Sequence, residues 1–249
     1  MIKLGCMSLS YNKAISDGRM TLESFIDTAY ELGLDGIDLH TRAFASMDDA
    51  YLRDIRMRCL KRGLAISYIG ISNNFGKPES ELAGEVDMVK GWIDVAERMR
   101  IPLVRIFAAW ERDDEDPDTI WSRMIDCIKE VADYGGKKGI VVGLHNHNHG
   151  CVTRTADDVL RILQEVDHSY FSHILDTGQY VGSPGASGAG GKEDPAYDFY
   201  GSIAKSAPYA VHVRAKIYRI QTGEEAWINY PRILSILRDI NYNGWMSIV

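Results

Sequence analysis

Residues Gly139 to Gly150 read GIVVGLHNHNHG, an apolar segment that runs straight into three histidines alternating with two asparagines. Successive side chains of an extended segment point to opposite faces, so His145, His147 and His149 would share one face if the strand continued through them. Imidazoles grouped in that way suit a divalent metal ion, or acid/base work near neutral pH. A strand that ends near His145, followed by a polar loop of hydrogen-bonded imidazoles, accounts for the same spacing. Cys151 follows directly and would be a soft ligand. The surrounding elements must decide which side chains converge.

Composition narrows the classes before position does. The chain has 249 residues, of which 45% are hydrophobic, enough to bury a large core, and α/β barrels of this length are routinely one domain. No low-complexity tract or Pro/Gly/Ser linker divides it, so residues 1–249 are expected to form one domain. A net charge of -7 with a pI near 5.5 argues against a broad phosphate-binding surface, and no nucleic-acid partner is expected. No apolar run reaches the roughly 18 to 20 residues of a membrane span, and MIKLGCMSLSYN lacks the apolar core of a signal peptide. A cytoplasmic protein without a membrane partner is the expectation. Cys6, Cys59, Cys127 and Cys151 show no CxxC spacing and are expected to be reduced thiols.

Taken in order, the chain repeats a short β-type run followed by an amphipathic helix. Lys3 to Leu9 is the first run, and its helix follows Thr21, burying Leu22, Phe25, Ile26 and Ala29 on one face before Gly33 stops it. The second run ends at His40, and Ser46 to Asp49 has the pattern of a capping box. Leu64 to Ile71 is apolar without alternation, as in a strand covered on both faces. A helix is predicted over about Ser80 to Arg100, then a fourth run over Leu103 to Ala108, then the acidic loop DDEDPD with Pro117 at a first-turn position. The fifth run, Ile140 to Leu144, leads into the histidines, and Thr155 to Asp158 caps the next helix. Tyr170 to Leu175 is the sixth run and ends at Asp176. The Gly/Ser-rich stretch Gly178 to Glu193 is either a lid over the substrate entry or a surface excursion. After a helix over about Pro195 to Lys205, Tyr209 to Lys216 is the seventh run, and Gly244 to Val249 begins an eighth.

Run starts recur at intervals of about 30 to 40 residues, the size of one βα unit. Eight such units with apolar strands predict an α/β fold of the (β/α)8 TIM-barrel type, ending before a final helix. An open doubly wound sheet would carry a glycine-rich phosphate loop after its first strand, and SLSYNKAISDG is not one. In a barrel the active site lies at the C-terminal strand ends. The polar residues that interrupt the apolar runs there are His40, Arg105 with Trp110 and Glu111, His145 with His147, Asp176 with Gln179, and His212 with Arg214 and Lys216. Two imidazoles and a carboxylate on strands five to seven are types that bind a divalent ion, which would polarise vicinal sugar oxygens.

MSLSYN, ELGLDGIDLH, GIVVGLHNHNHG, HILDTGQY, AVHVRAK and NGWMSIV resemble the xylose isomerase-like TIM barrels, and the resemblance covers essentially the whole chain. That family includes sugar and sugar-phosphate isomerases and epimerases, inosose dehydratases and an AP endonuclease type. The resemblance implies one divalent ion, Mn, Zn, Co, Fe or Mg, held by Glu, Asp, His and Glu at the ends of strands five to eight. Asp176 matches the aspartate, His212 the histidine, and His145 falls at the first glutamate. His145 removes a carboxylate base, so the two-glutamate proton shuttle of ketose 3-epimerases does not carry over. Gln179 replaces a histidine of many relatives. The chain ends at Val249, before the position of the last glutamate.

The expected function is a divalent-metal-dependent sugar isomerase or epimerase moving a proton next to a carbonyl. His145, Asp176 and His212 would hold the ion. His145, His147 and Lys216 would be catalytic, and Trp110, Gln179, Arg214 and His40 would bind substrate. The alternative is a lyase or dehydratase expelling a β-leaving group from a keto-sugar, for which one base suffices. An AP endonuclease would need a basic groove, and a non-catalytic binding subunit gains weight only if the eighth-strand glutamate is absent. The partner is a small sugar, unphosphorylated in the absence of a GK[ST] loop or dense Arg/Lys cluster, and a homo-oligomer is compatible with the sequence. His149 and His168 are read as loop and turn residues, and His173 as core.

Overall fold

The computed structural model describes residues 1–185, 190–221 and 223–249. Eight parallel strands close into a barrel in the order β1-β10-β7-β6-β5-β4-β3-β2. They are β1 (Lys3–Met7), β2 (Gly36–His40), β3 (Ala65–Gly70), β4 (Leu103–Ile106), β5 (Val141–His145), β6 (Phe171–Asp176), β7 (Ala210–Ala215) and β10 (Trp245–Ile248). Two short strands, β8 (Ile220–Gln221) and β9 (Glu224–Glu225), pair as a hairpin in the connection after β7. The helices are α1 (Asn12–Ser16), α2 (Leu22–Glu31), α3 (Asp49–Lys61), α4 (Glu79–Met99), α5 (Pro117–Lys138), α6 (Ala156–Val166), α7 (Phe199–Ser206) and α8 (Tyr230–Asp239). No helix among the described residues is long and apolar enough to cross a membrane.

Capping residues set the helix starts. Thr21 with Ser24, and Thr155 with Asp158, form reciprocal capping boxes, and Asp116 caps α5 with Pro117 behind it. At α3 the expected box starting at Ser46 is replaced by Asp48, whose carboxylate accepts from the Tyr51 N–H while Ser46 braces it. The acidic stretch after β4 is tied down at the surface by Arg112 with Asp114 and Arg123 with Glu115.

One large apolar cluster fills the space between strands and helices, from Phe25, Ile37 and Ile55 round to Ile203, Val213 and Leu237. Inside the barrel a smaller cluster of Met7, Tyr68, Leu103 and Ile174 closes the floor. Inward positions recur every second residue. On β4 they are Leu103 and Arg105, on β6 Ile174 and Asp176, on β7 His212 and Arg214, so that the apolar floor gives way to charged groups at the strand ends. Residues 186–189 of the Gly178 to Glu193 stretch, expected as a lid or excursion, lie outside the described residues. The part that precedes them packs inward, with Tyr180 and Ser183 buried and the Val181 N–H bonded to the Arg154 carbonyl at 2.9 Å.

Candidate active site

The ends of β2 to β7 line a cavity of roughly 180 Å³, bounded by Leu9, His40, Arg42, Ser72, Arg105, Phe107, His145, His147, Asp176, Gln179, Arg214 and Lys216. Its base is a three-way contact. Arg214 Nη1 donates to His145 Nε2 and lies 3.4 Å from Asp176 Oδ2, and that carboxylate oxygen is 3.2 Å from the same imidazole nitrogen. A guanidinium has only donors, so the His145 lone pair on Nε2 is occupied. Asn146 clamps the strand end beside it: its Oδ1 accepts the Asp176 N–H at 2.7 Å and its Nδ2 donates to the Asp176 carbonyl at 3.0 Å. The other carboxylate oxygen of Asp176 accepts from the Gly178 N–H at 2.9 Å.

The charges follow from these contacts. Burial alone would raise the Asp176 carboxyl, but the cation of Arg214 outweighs it and holds the group well below the usual carboxylate range, so it is ionised. Burial and the cation of Arg214 push His145 well below 6.5. His40 is lowered to about 3 by burial and by Arg105, Arg42 and Arg214. Its Nδ1 accepts the Arg42 N–H at 3.2 Å, which leaves Nε2–H to donate to Ser72 Oγ at 3.2 Å. His147 is lowered by burial, in part offset by its bond to Asn148. That bond, 2.6 Å from Nδ1 to the Asn148 carbonyl, requires the proton on Nδ1 and leaves Nε2 as a basic nitrogen. At neutral pH the three imidazoles are uncharged. Lys216 is positioned through its backbone, its N–H donating to Thr177 Oγ1 at 3.0 Å and its carbonyl accepting from Tyr230 Oη at 2.7 Å.

Most residues expected from the sequence line this cavity: His40, His145, His147, Asp176, Gln179, Arg214 and Lys216. Three of the expected residues sit differently in the structure. His212 does not join His145 and Asp176. It precedes Arg214 by two residues on β7, about 6.6 Å deeper along the strand, and its Nε2 faces Ser67 Oγ at 3.1 Å, Asp38 Oδ1 at 3.4 Å and Ser247 Oγ at 3.4 Å. Trp110 stands behind the cavity wall rather than in it, its ring 5.0 Å from Phe107 and 5.7 Å from His147. His145 has no free lone pair on Nε2 with which to act as a base.

The donor set therefore does not fit the divalent ion that the resemblance implied. His145 Nε2 and Asp176 Oδ2 both contact the guanidinium of Arg214, a cation at the vertex of the triangle that an ion held by these two atoms would take. Among the described residues no three His, Cys, Asp or Glu side chains group closely enough to hold an ion. Cys151 is buried, its Sγ 3.3 Å from Thr153 Oγ1. His149 sits in the loop with a φ of 58°, and His168 caps a turn through the Tyr170 N–H. His173 is fully buried in the core, with Nδ1 2.9 Å from the Leu144 carbonyl. Glu111 pairs with Arg154 away from the mouth.

Leu9, Arg42, Ser72 and Phe107 of the cavity wall escaped the sequence reading, while Arg105 was named at the strand ends without an assigned role. The Asn146 clamp had a signal in HNHNH, since an asparagine between strand-end histidines points to the opposite face from them.

The sequence profile of the xylose isomerase-like TIM barrel family matches residues 26–249. No curated protein matches the sequence significantly. Among solved structures, D-psicose 3-epimerase from Clostridium cellulolyticum H10, with D-tagatose, superposes with a TM-score of 0.78 at 17% identity, over 99% of this chain and 84% of that one. The 3-keto-D-glucoside 4-epimerase YcjR from E. coli gives 0.78 at 13% identity, over 100% and 92%. The probable 3-DHS dehydratase AsbF from Bacillus anthracis gives 0.76 at 17% identity, over 100% and 92%. At these identities the structural likenesses establish the fold, and the profile match over most of the chain establishes the rest: the chain belongs to the xylose isomerase-like TIM barrel family.

Proposed function

We propose that this protein is a sugar isomerase or epimerase that moves a proton next to a carbonyl, with His147 as the base. The observation that carries the reading is the fixed tautomer of His147. Its Nδ1–H is spent on the Asn148 carbonyl, so Nε2 is a neutral base on the cavity wall at the pH where the enzyme would work. Abstraction of a proton next to a carbonyl places negative charge on the carbonyl oxygen. Arg214 and Lys216 stand at the same mouth as preorganised cations to receive that charge. Gln179 supplies a neutral amide for sugar hydroxyls at the same cavity wall. The proton transfer is assigned to the protein's own groups, because the guanidinium of Arg214 contacts both of the atoms that would hold an ion.

Isomerisation suits this site better than epimerisation. One base can return the proton to the adjacent carbon on the same face of an enediol, whereas inversion at a carbon needs a second base on the opposite face. The structural neighbours named as epimerases and as a dehydratase support a small sugar or sugar-like substrate. A single base also suits elimination of a β-leaving group, which is the second reading. Product analysis separates them: with aldose and ketose pairs an isomer of equal mass is expected, while release of water or aglycone from a 3-keto-glycoside supports the lyase. Absence of an isomer from a panel of such sugars, with the His147→Gln variant behaving as the parent, would sink the proposal.

A further inference from the structure

Among the described residues Arg105 is the largest fully buried side chain, 1% exposed, and it carries a charge with no carboxylate of its own. Its Nε and Nη1 have no hydrogen-bond partner, and Nε of Arg214 has none either. The guanidinium lies 4.2 Å from the Phe107 ring centroid. Gly70 makes the room, since a Cβ there would come within 3.0 Å of Arg105 Nη2 and 2.7 Å of Met7 Cε. Burial and the neighbouring Arg214 push Arg105 down to about 9, the direction expected of a cation without a counter-ion.

The cavity as a whole repeats this imbalance. Four cationic side chains line it, Arg42, Arg105, Arg214 and Lys216, against the single carboxylate of Asp176, while the rest of the chain brings the net charge to -7. Leaving a buried ion unpaired is costly, and replacing it with an apolar residue is often neutral or stabilising. Its presence at the wall of a small cavity is explained if a ligand supplies the missing charge. A guanidinium fork matches the two oxygens of a carboxylate or of a phosphate. The volume of roughly 180 Å³ lies below the usual range of about 300 to 1,000 Å³ for drug-sized ligands, which restricts the occupant to a small molecule.

We infer that the substrate is an anionic sugar derivative, with its carboxylate or phosphate oxygens bound by Arg105 and the rim cations. The inference rests on the reading of this cavity as a sugar site and, where the anion is a phosphate, reverses the sequence-based expectation of an unphosphorylated sugar. That expectation followed from the lack of a dense Arg/Lys cluster in the sequence. The cluster exists, but its members come from β2, β4 and β7 and their loops and meet only in the fold.

Calorimetric titration of the full chain with D-glucuronate, D-fructose 6-phosphate, inorganic phosphate and D-fructose tests it. One of the two sugar anions should bind about tenfold or more tightly than D-fructose, and Arg105→Met should reduce that affinity by about tenfold. The same variant, without ligand, should melt at or above the temperature of the parent, as removal of an unpaired buried charge requires. If Arg105→Met does not fold, Lys216→Ala at the rim serves for the affinity comparison. Preference for glucuronate assigns a carboxylate, and preference for fructose 6-phosphate assigns a phosphate. Equal binding of D-fructose, or inorganic phosphate binding as tightly as the sugar phosphate, overturns the inference. Exchange of the carbon-bound proton is measured separately. An anion that binds without exchange defeats the isomerase reading alone, and D-fructose that exchanges at undiminished affinity defeats the anionic class alone.

Discussion

The imidazoles that line and underlie the site make the fold sensitive to mild acid. In the folded protein His40 is lowered to about 3 and the core residue His173 to about 4, both by burial first. In the unfolded chain each titrates near 6.5. Between the folded and unfolded values the unfolded state binds more protons, so stability rises with pH and is lost as pH falls below about 6.5. From pH 7 to pH 5.5 each of the two residues costs about 1.2 kcal/mol, hence about 2.5 kcal/mol together. His145, shifted in the same direction, adds to the loss. Asp176 acts in a separate window, since its depressed carboxyl contributes stability above its unfolded value of about 3.8 and loses it only in stronger acid. Against a typical stability of about 5 to 15 kcal/mol the effect is large. Urea unfolding at the two pH values should show a clear fall in midpoint at pH 5.5, and His173→Gln should remove part of the pH dependence while lowering stability overall. Coincident midpoints at pH 7 and 5.5, or a His173→Gln variant with the full pH dependence of the parent, would refute the reasoning.

Other perturbations probe the site itself. Because burial lowers His147, kcat/KM should form a plateau that extends below pH 6.5 and declines only in more acid solution, as the base becomes protonated; a profile rising through pH 7 to 8 argues for another base. Asn146→Ala removes two bonds to the Asp176 backbone and should cost about 2 kcal/mol in denaturant unfolding, with a fall in turnover. An unchanged midpoint would mean that the clamp contributes nothing. Arg214→Ser withdraws the guanidinium from His145 and Asp176, so Mn²⁺ measured by calorimetry should bind roughly tenfold more tightly than to the parent. A parent that binds Mn²⁺ as tightly as the variant would show that the guanidinium does not exclude the ion.

The barrel was legible because its strands are covered on both faces and its helices carry strong start and stop signals. Apolar runs without alternation, capping pairs such as Thr155 with Asp158, and recurrent βα spacing all depend on local chemistry. His145 and Asp176 stood out for the same reason, as polar groups interrupting apolar strands at their C-terminal ends. Depth within the barrel was not legible. His212 and Arg214 share a face of β7, and only the strand stagger decides that Arg214 reaches the mouth while His212 stays below with Asp38 and Ser67. The family pattern pointed to His212, and the physical geometry placed a cation beside His145 and Asp176 instead. Arg105 was obscured by its setting, since an arginine inside LVRIF becomes a buried, unpartnered charge only when Gly70 on the adjacent strand leaves it space. Phe107 outranks Trp110 in the cavity wall for a similar reason: Trp110 packs behind the Phe107 and His147 rings.

The central claim is that His147 moves a carbon-bound proton next to a sugar carbonyl. Its most direct test is deuterium uptake in D₂O by a sugar that the protein binds, followed by mass spectrometry of both recovered substrate and product. The account predicts one deuterium at the carbon next to the carbonyl or at its neighbour with the parent, and uptake reduced about a hundredfold or more with His147→Gln. Turnover with no uptake at those carbons in any recovered species, or undiminished uptake with His147→Gln, would contradict it.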